Sequence, residues 1–302
     1  MFSYRNNNLL PLLVGQRKNT NKSCILFTNA RDEPNIEEWI AHHLLLGFDK
    51  IVVYDHLSKV PIEQTSRIKD KRVSIVRVHG AGNIKIGLMN NALTKALKDG
   101  HDWMLYLDAD EFLNLNGFKS VKEYLNHFVK ADSIGVNWLM FGTSGYTTQP
   151  SGLITEYFIR SDVRLNSHVK TFVRPGSAVK CVNPHYFVMS EPSRCYSGNG
   201  TRMNMGPFNN QPIPFVKAKA YIAHYYTQSE EEHLRRKNRL MDDGTTNKAS
   251  GIKDVHKMHN GCANNQLKNK YSEGIRNFLG KCGSELVNSL NPELVNSLNP
   301  QA

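Results

Sequence analysis

No apolar run in the 302-residue chain approaches the ~20 residues that a membrane-spanning helix requires. Near its start the longest such run is Leu9 to Val14, shorter than the apolar core of a secretory leader. Paired cysteines are missing too. Cys24, Cys181, Cys195, Cys262 and Cys282 are scattered, and none forms a Cys-x-x-Cys pair, which excludes a zinc ribbon or a dithiol redox motif. Free thiols in a reducing compartment account for them, so the expectation is a soluble, cytoplasmic protein with no transmembrane segment. Acid is in deficit: 27 Asp and Glu stand against 38 Lys and Arg, a formal net charge of +11. That balance favours an anionic partner, whether nucleic acid, an acidic membrane surface or a phosphorylated small molecule. No helix-turn-helix signature, zinc spacing or aromatic RNA-binding motif is present, so nucleic acid is not the expected partner. Internal repetition is confined to one octamer, ELVNSLNP, at 285–292 and again at 293–300, far short of a solenoid.

What is present is alternation. Residues 1–22 read as a loose Asn/Lys/Arg-rich arm. Cys24 to Thr28 reads as a strand, followed by the polar loop Asn29 to Glu33. Pro34 then opens a helix with Glu37 and Glu38 near its positive end and Trp39, Ile40, His43, Leu44 and Leu46 on one face, closed by Gly47. KIVVY (50–54) and VSIVRV (73–78) read as strands buried on both faces, 90–98 as a helix, and WMLYL (103–107) as a third buried strand. Such alternation points to an α/β fold, a mostly parallel sheet flanked by helices. Further on, 121–130 reads as a helix, 133–140 as a strand, 190–215 as a long loop, and 230–241 as a charged helix whose Arg235, Arg236, Lys237 and Arg239 form a solvated face.

Ligands of parallel sheets collect at the carboxyl ends of the strands. Three polar turns are expected there: Asn29 to Glu33, Asp55 to Ser58, and Asp108 to Glu111. Asp108 and Asp110, one residue apart, can project to one side, and their mutual repulsion is relieved by a cation between them. Oxygen ligands suit Mg²⁺ or Mn²⁺, which also bind phosphate oxygens and so neutralise a departing diphosphate. Read alone, such a pair is better explained by solvated capping acids; its position at the end of WMLYL, level with two other polar turns, reverses that and favours the cation.

Several motifs in order carry a resemblance. Asn29-Ala-Arg-Asp-Glu33, Glu38-Trp39-Ile40-x-x-His43, Gly47-Phe-Asp-Lys-Ile51 and Tyr54-Asp55-His-x-Ser58 are followed by Trp103 to Phe112 with its Asp-Ala-Asp-Glu. Then come Trp138-x-x-Phe141-Gly-Thr-Ser-Gly145, Lys170-Thr-Phe-Val-Arg174-Pro175, Asn183-Pro184-His185 and His224-Tyr-Tyr226. Over roughly residues 24 to 240 the chain resembles GT-A fold glycosyltransferases, in particular the family 2 and family 92-like set known from large DNA viruses, bacteria and eukaryotes. The resemblance implies a Rossmann-like GT-A sheet with a loop-rich C-terminal acceptor part. It implies transfer of a sugar from a UDP- or GDP-type donor to a hydroxyl of a glycan or glycoprotein, in the host cytoplasm if the source is viral. The expected organisation is a catalytic domain over 23–245, with a nucleotide half to about 115 and an acceptor half beyond, then an extension over 246–302.

The resemblance also implies roles for individual residues. Asn29, Arg31 and Glu33 lie along the nucleotide, and Asp55 by its base or ribose. Asp110 is the principal ligand of Mn²⁺ or Mg²⁺, Asp108 touches ribose or a metal-bound water, and His224 reaches the metal or diphosphate. Lys170 and Arg174 offer charge to the phosphates. The turn Asp55-His-Leu-Ser-Lys59 departs from the Asp-Asn-x-Ser-x-Asp frequent in the family. If transfer inverts the anomeric centre, a carboxylate must deprotonate the acceptor hydroxyl; Glu156 is the first candidate and Asp162 the second. Paired carboxylates on an α/β sheet equally suit a metal-dependent nucleotidyltransferase, which would release pyrophosphate instead of a nucleoside diphosphate.

Overall fold

A computed structural model describes residues 22–80, 84–210, 213–238 and 255–289. All of the expected N-terminal arm except Lys22, the end of the expected 230–241 helix and most of the tandem octamers lie outside these residues.

The strands form as the hydrophobic runs dictate. β1 (Cys24–Ala30), β2 (Lys50–His56), β3 (Val73–Val78) and β4 (Trp103–Tyr106) lie in the order β3-β2-β1-β4, all parallel. α1 (Ile36–Leu45) covers one face with Trp39, Ile40 and Leu44. α3 (Lys85–Lys98) covers the other with Leu88, Met89 and Ala92. Gly47, at φ +86°, ends the α1 segment in the left-handed region that glycine adopts without strain. β3 departs from expectation: its residues are half-buried or exposed, because it pairs only with β2 and forms the sheet edge.

Beyond β4 the sheet changes character. β8 (Val169–Val173) runs antiparallel to β4 and to β6 (Ser133–Met140). β6 pairs in parallel with β11 (Cys195–Ser197) and with β12 (Ala220–His224), and β12 pairs antiparallel with β5 (Glu111–Leu115). The expected mostly parallel sheet is therefore parallel in its first half and mixed in its second. The parallel strands are joined through helices, whereas β5 follows β4 after a short turn and finds its partner in β12, far along the chain.

Short elements complete the frame. α4 (Val121–Asn126) is shorter than expected and is capped by Ser120, whose Oγ accepts from Glu123 N at 3.2 Å. α5 (Ile154–Tyr157) is tied to α1 through Glu38, whose carboxylate accepts from Ile154 N at 2.7 Å and Thr155 N at 3.0 Å. β7 (Arg160–Ser161) pairs with β13 (Cys262–Ala263). α7 (Gln266–Ser289) packs on α1 and buries Leu267, Tyr271 and Ile275 in the main core, so this part of the expected extension is integral to the domain.

Candidate active site

The parallel strands deliver their three polar turns to one sheet edge, as anticipated, but the turns differ in what they do there. After β1, Asp32 sits at φ +47°. Its backbone N donates to Ser58 Oγ at 3.0 Å, and its Oδ1 accepts from Lys59 N at 2.7 Å. The first and second turns are thus clipped together. Asp55 serves that clip: Oδ1 accepts from Ser58 N (3.2 Å), while Oδ2 accepts from Ile62 N (3.0 Å) and Arg77 Nη1 (2.7 Å). Burial alone would raise its carboxyl, yet these donors hold it below the ordinary range. Asn29, at the end of β1, accepts through Oδ1 from Tyr106 OH at 3.2 Å, and Arg31 lies half-buried in the turn beyond.

The third turn is built of charge. Glu111 N donates to Asp108 O, and Asp108 N donates to Glu111 Oε2, both at 3.0 Å, closing the turn on itself. Each oxygen of Asp108 has an ammonium partner: Oδ1 meets Lys85, and Oδ2 meets Lys170 at 3.0 Å. Burial pushes the Asp108 carboxyl up, but Lys170 and then Lys85 outweigh it and hold the group ionised. Lys170 itself is 1% exposed and also lies 3.5 Å from Glu111 Oε1, so it is a buried charge beneath Asp108 and not a ligand reaching outward. Glu111, fully buried, is raised to about 7 by desolvation that Lys170 only partly offsets.

Strand pairing explains the rest. His224 ends β12 opposite Glu111, and Tyr225 N donates to Asp110 O at 3.0 Å. This brings His224 Nε2 to 3.6 Å from Asp110 Oδ2. α6 (Glu230–Asn238) follows and delivers Arg236, whose Nη1 donates to the same Asp110 Oδ2 at 2.6 Å and whose Nη2 donates to Glu33 Oε2 at 3.3 Å. Against the pull of burial, His224 and Arg236 lower the Asp110 carboxyl well below the usual range, and Asp110 raises His224. Glu33 moves the other way, its burial outweighing the Arg236 charge.

The structure therefore gathers Glu33, Asp108, Asp110, Lys170 and His224 into one cluster and leaves other expected residues outside it. Arg174 is a correction. It follows β8, and Met104 pairs with Val173, so Arg174 lies at the start of β4, about 13 Å down the strand from Lys170. There its Nε donates to Ala131 O at 2.9 Å, and its guanidinium lies 4.3 Å over the Trp103 ring. Glu156 is paired with Arg276 of α7, Nε to Oε1 at 2.8 Å, and lines a cavity of about 540 Å³ with Tyr146, Tyr157, Arg160 and Lys268. Asp162 lies nearer. Its N donates to Met140 O, and the antiparallel bridge of Phe141 with Ser161 sets it beside Met140, which pairs on its other side with His224. Asp162 and His224 are thus two strand spacings apart, about 10 Å, on one face of the sheet.

Sequence reasoning missed Lys85 and took Arg236 for a solvated residue. Both carried a signal. A lysine on the first residue of a helix opposes the macrodipole and calls for an anion, here Asp108. The buried stripe of α6 holds Glu232, His233 and Lys237 in place of apolar residues, so that helix packs on a polar site and not on a core.

Asp110 Oδ2 and His224 Nε2, 3.6 Å apart, are the residues that could hold a cation; Glu33 Oε1 and Glu111 Oε1 are buried without hydrogen-bond partners, the latter 3.5 Å from the Lys170 ammonium. Among the described residues no group of three His, Cys, Asp or Glu side chains could hold a metal. Two protein ligands are what a Mg²⁺- or Mn²⁺-type ion uses when substrate phosphates and water complete its shell.

The family model for glycosyltransferase family 92 matches residues 23–264. A curated glycosyltransferase family 92 protein of Oryza sativa subsp. japonica is 23% identical over 248 residues, covering 76% of this chain and 41% of its own length. The chain thus spans about two fifths of that relative. Among solved structures, HddC from Yersinia pseudotuberculosis matches with a TM-score of 0.31 at 12% identity, over 51% of this chain and 77% of its own. The same protein complexed with GMP-PN matches at 0.32 and 11%, over 68% and 89%. Likeness of that size carries no argument about this chain. Among the described residues no helix is long and apolar enough to cross a membrane.

Proposed function

The chain belongs to glycosyltransferase family 92, and from that premise we propose that it transfers a sugar from a nucleoside-diphosphate sugar to a hydroxyl of a glycan acceptor, with Mn²⁺ or Mg²⁺ held by Asp110 and His224. The observation that carries this reading is the meeting of Asp110 Oδ2 with His224 Nε2 at the carboxyl edge of the parallel strands. Bound there, the cation would supply Lewis-acid stabilisation of the leaving diphosphate. Asn29 and Arg31 border the nucleotide on the β1 side. Lys85, partly exposed on Asp108, can turn one N–H toward a phosphate, while Lys170 stays buried and fixes Asp108 from below.

In an inverting displacement the acceptor oxygen attacks the anomeric carbon as the bond from that carbon to the diphosphate oxygen breaks. The hydroxyl proton passes to a base on the acceptor side. Asp162 is the base we propose: register sets it two strand spacings from His224, and its Oδ2 accepts from His259 Nδ1 at 2.9 Å, which steadies the carboxylate. The cavity lined by Tyr146, Tyr157 and Arg160 begins two residues upstream of Asp162 and gives an acceptor glycan room to lie.

Thermal melting with a panel of UDP- and GDP-sugars, with and without Mn²⁺, tests the reading, since a ligand that binds only the native state raises the melting point. A cation-dependent rise with at least one donor, absent in Asp110→Asn, is expected. If no donor shifts the melt in either condition, the proposal fails. Nucleoside diphosphate as product excludes the nucleotidyltransferase alternative.

A further inference from the structure

Arg236 gives each of its three nitrogen groups to a different carboxylate. Nη1 donates to Asp110 Oδ2 at 2.6 Å, Nη2 to Glu33 Oε2 at 3.3 Å, and Nε to Glu232 Oε1 at 3.0 Å. Asp110 Oδ2 is also the oxygen that faces His224 Nε2. The atom best placed to coordinate a cation is therefore already neutralised by a guanidinium. Arg236 comes from α6, 126 residues along the chain from Asp110, and only a fifth of its side chain is exposed. It is a built contact, anchored at two further points.

We propose that Arg236 and the divalent cation exchange at Asp110 Oδ2. The guanidinium holds the carboxylate's coordinating oxygen through Nη1. With cation and nucleotide bound, Arg236 Nη1 would release that oxygen and turn to the diphosphate while Glu33 and Glu232 keep Nη2 and Nε in place. Planar guanidinium suits this transfer, because one face-on group can serve a carboxylate and then a phosphate with the same N–H geometry. This rests on the glycosyltransferase reading and adds to it an order of events. Cation binding without nucleotide is opposed, and nucleotide binding relieves the opposition.

The two roles predict shifts of opposite sign for one residue. Mn²⁺ binding is measured without nucleotide, by loss of the free-ion electron paramagnetic resonance signal; UDP and GDP binding is then measured by calorimetry at saturating Mn²⁺. In Arg236→Ala the affinity for Mn²⁺ alone should rise about 5- to 150-fold, the range of ordinary site–site coupling. Affinity for the nucleoside diphosphate should fall about tenfold, the loss of a charge-assisted contact. Arg236→Lys retains charge without the three-way fork and should move both values in the same directions by less, which covers the case in which the alanine variant does not fold. Unchanged or weaker Mn²⁺ binding in these variants overturns the exchange, as does unchanged nucleotide binding. The donor reading fails separately: the wild-type protein would then bind no nucleoside diphosphate at all, and Asp110→Asn would match it for Mn²⁺.

Discussion

Two turns at the same sheet edge look alike in sequence and behave differently in the fold. Each closes a buried parallel strand and each carries an aspartate. Asp55, near the end of β2, has its oxygens taken by Ser58 N, Ile62 N and Arg77, two of them backbone donors a few residues on. Asp110, after β4, is met by the side chains of His224 and Arg236, both from segments more than a hundred residues away. Backbone donors within a turn cannot leave without unfolding it, whereas a distant guanidinium can be exchanged for another cation. An acid at a strand end becomes a staple or a site according to who its partners are.

Substitution should separate the two most sharply at Asp110. Asp110→Asn is expected to reduce sugar transfer about 10³-fold or more, the several kcal/mol that a catalytic cation supplies, with little change in melting point. A comparable loss in Asp55→Asn with the fold intact would break the contrast. Asp162→Asn extends the comparison to the acid proposed for proton transfer: about a 10²-fold fall in transfer is expected, with donor affinity retained. Equal losses in transfer and donor binding would place Asp162 with Asp110 instead. Asp55→Ala should act through stability, by about 2–3 kcal/mol, since it strands two buried N–H groups and Arg77; chemical denaturation reads this directly, and the folded fraction should bind donor normally.

The pH axis sharpens the same point with a buried acid held by hydrogen bonds from α5. Desolvation raises Glu38 to about 7, three hydrogen bonds from Thr155 and Ile154 only partly opposing it. An unfolded glutamate titrates near 4.3. Between about pH 5 and about pH 7 the native state thus keeps a proton that the unfolded chain has released, and stability falls as pH rises. The melting-point difference between wild type and Glu38→Gln should shrink across that window; a constant or growing difference would contradict it. Asp55, held below its ordinary value, has the opposite sign, its contribution lost only in acid. The smallest effect is expected at Glu156→Gln. Its partner Arg276 is more than half exposed, so transfer should stay within about threefold and stability within about 0.5 kcal/mol. A loss of transfer there would restore Glu156 as the base.

Local pattern carried much of this into the sequence. β1, β2, β4 and α1 were legible because unbroken apolar runs and a one-faced helix leave little choice of period. The polar turns were legible because such strands end where ligands collect. β5 was not, since EFLNL follows the acidic turn immediately and reads as its continuation; only its pairing with β12 identifies it as a strand. With β5 unseen, nothing local placed His224 beside Asp110, and the resemblance alone put it there. Arg236 was lost for a different reason: its neighbours Glu232 and Arg235 form intrahelical pairs that fully account for a solvated helix. Arg174 was misplaced because four residues along a strand return a side chain to the same face while moving it past the site.

The pairing of β5 with β12 also sets a timetable. A ribosome that has made the acidic turn must add more than a hundred further residues before the strand that flanks it exists, and α6 comes later still. Until then Asp110 lacks both His224 and Arg236 and the β5 edge is bare, the condition in which partly made proteins stick to one another. Assembly of the pocket is consequently a late, long-range event, and slow folding is the expected kinetic signature of this architecture.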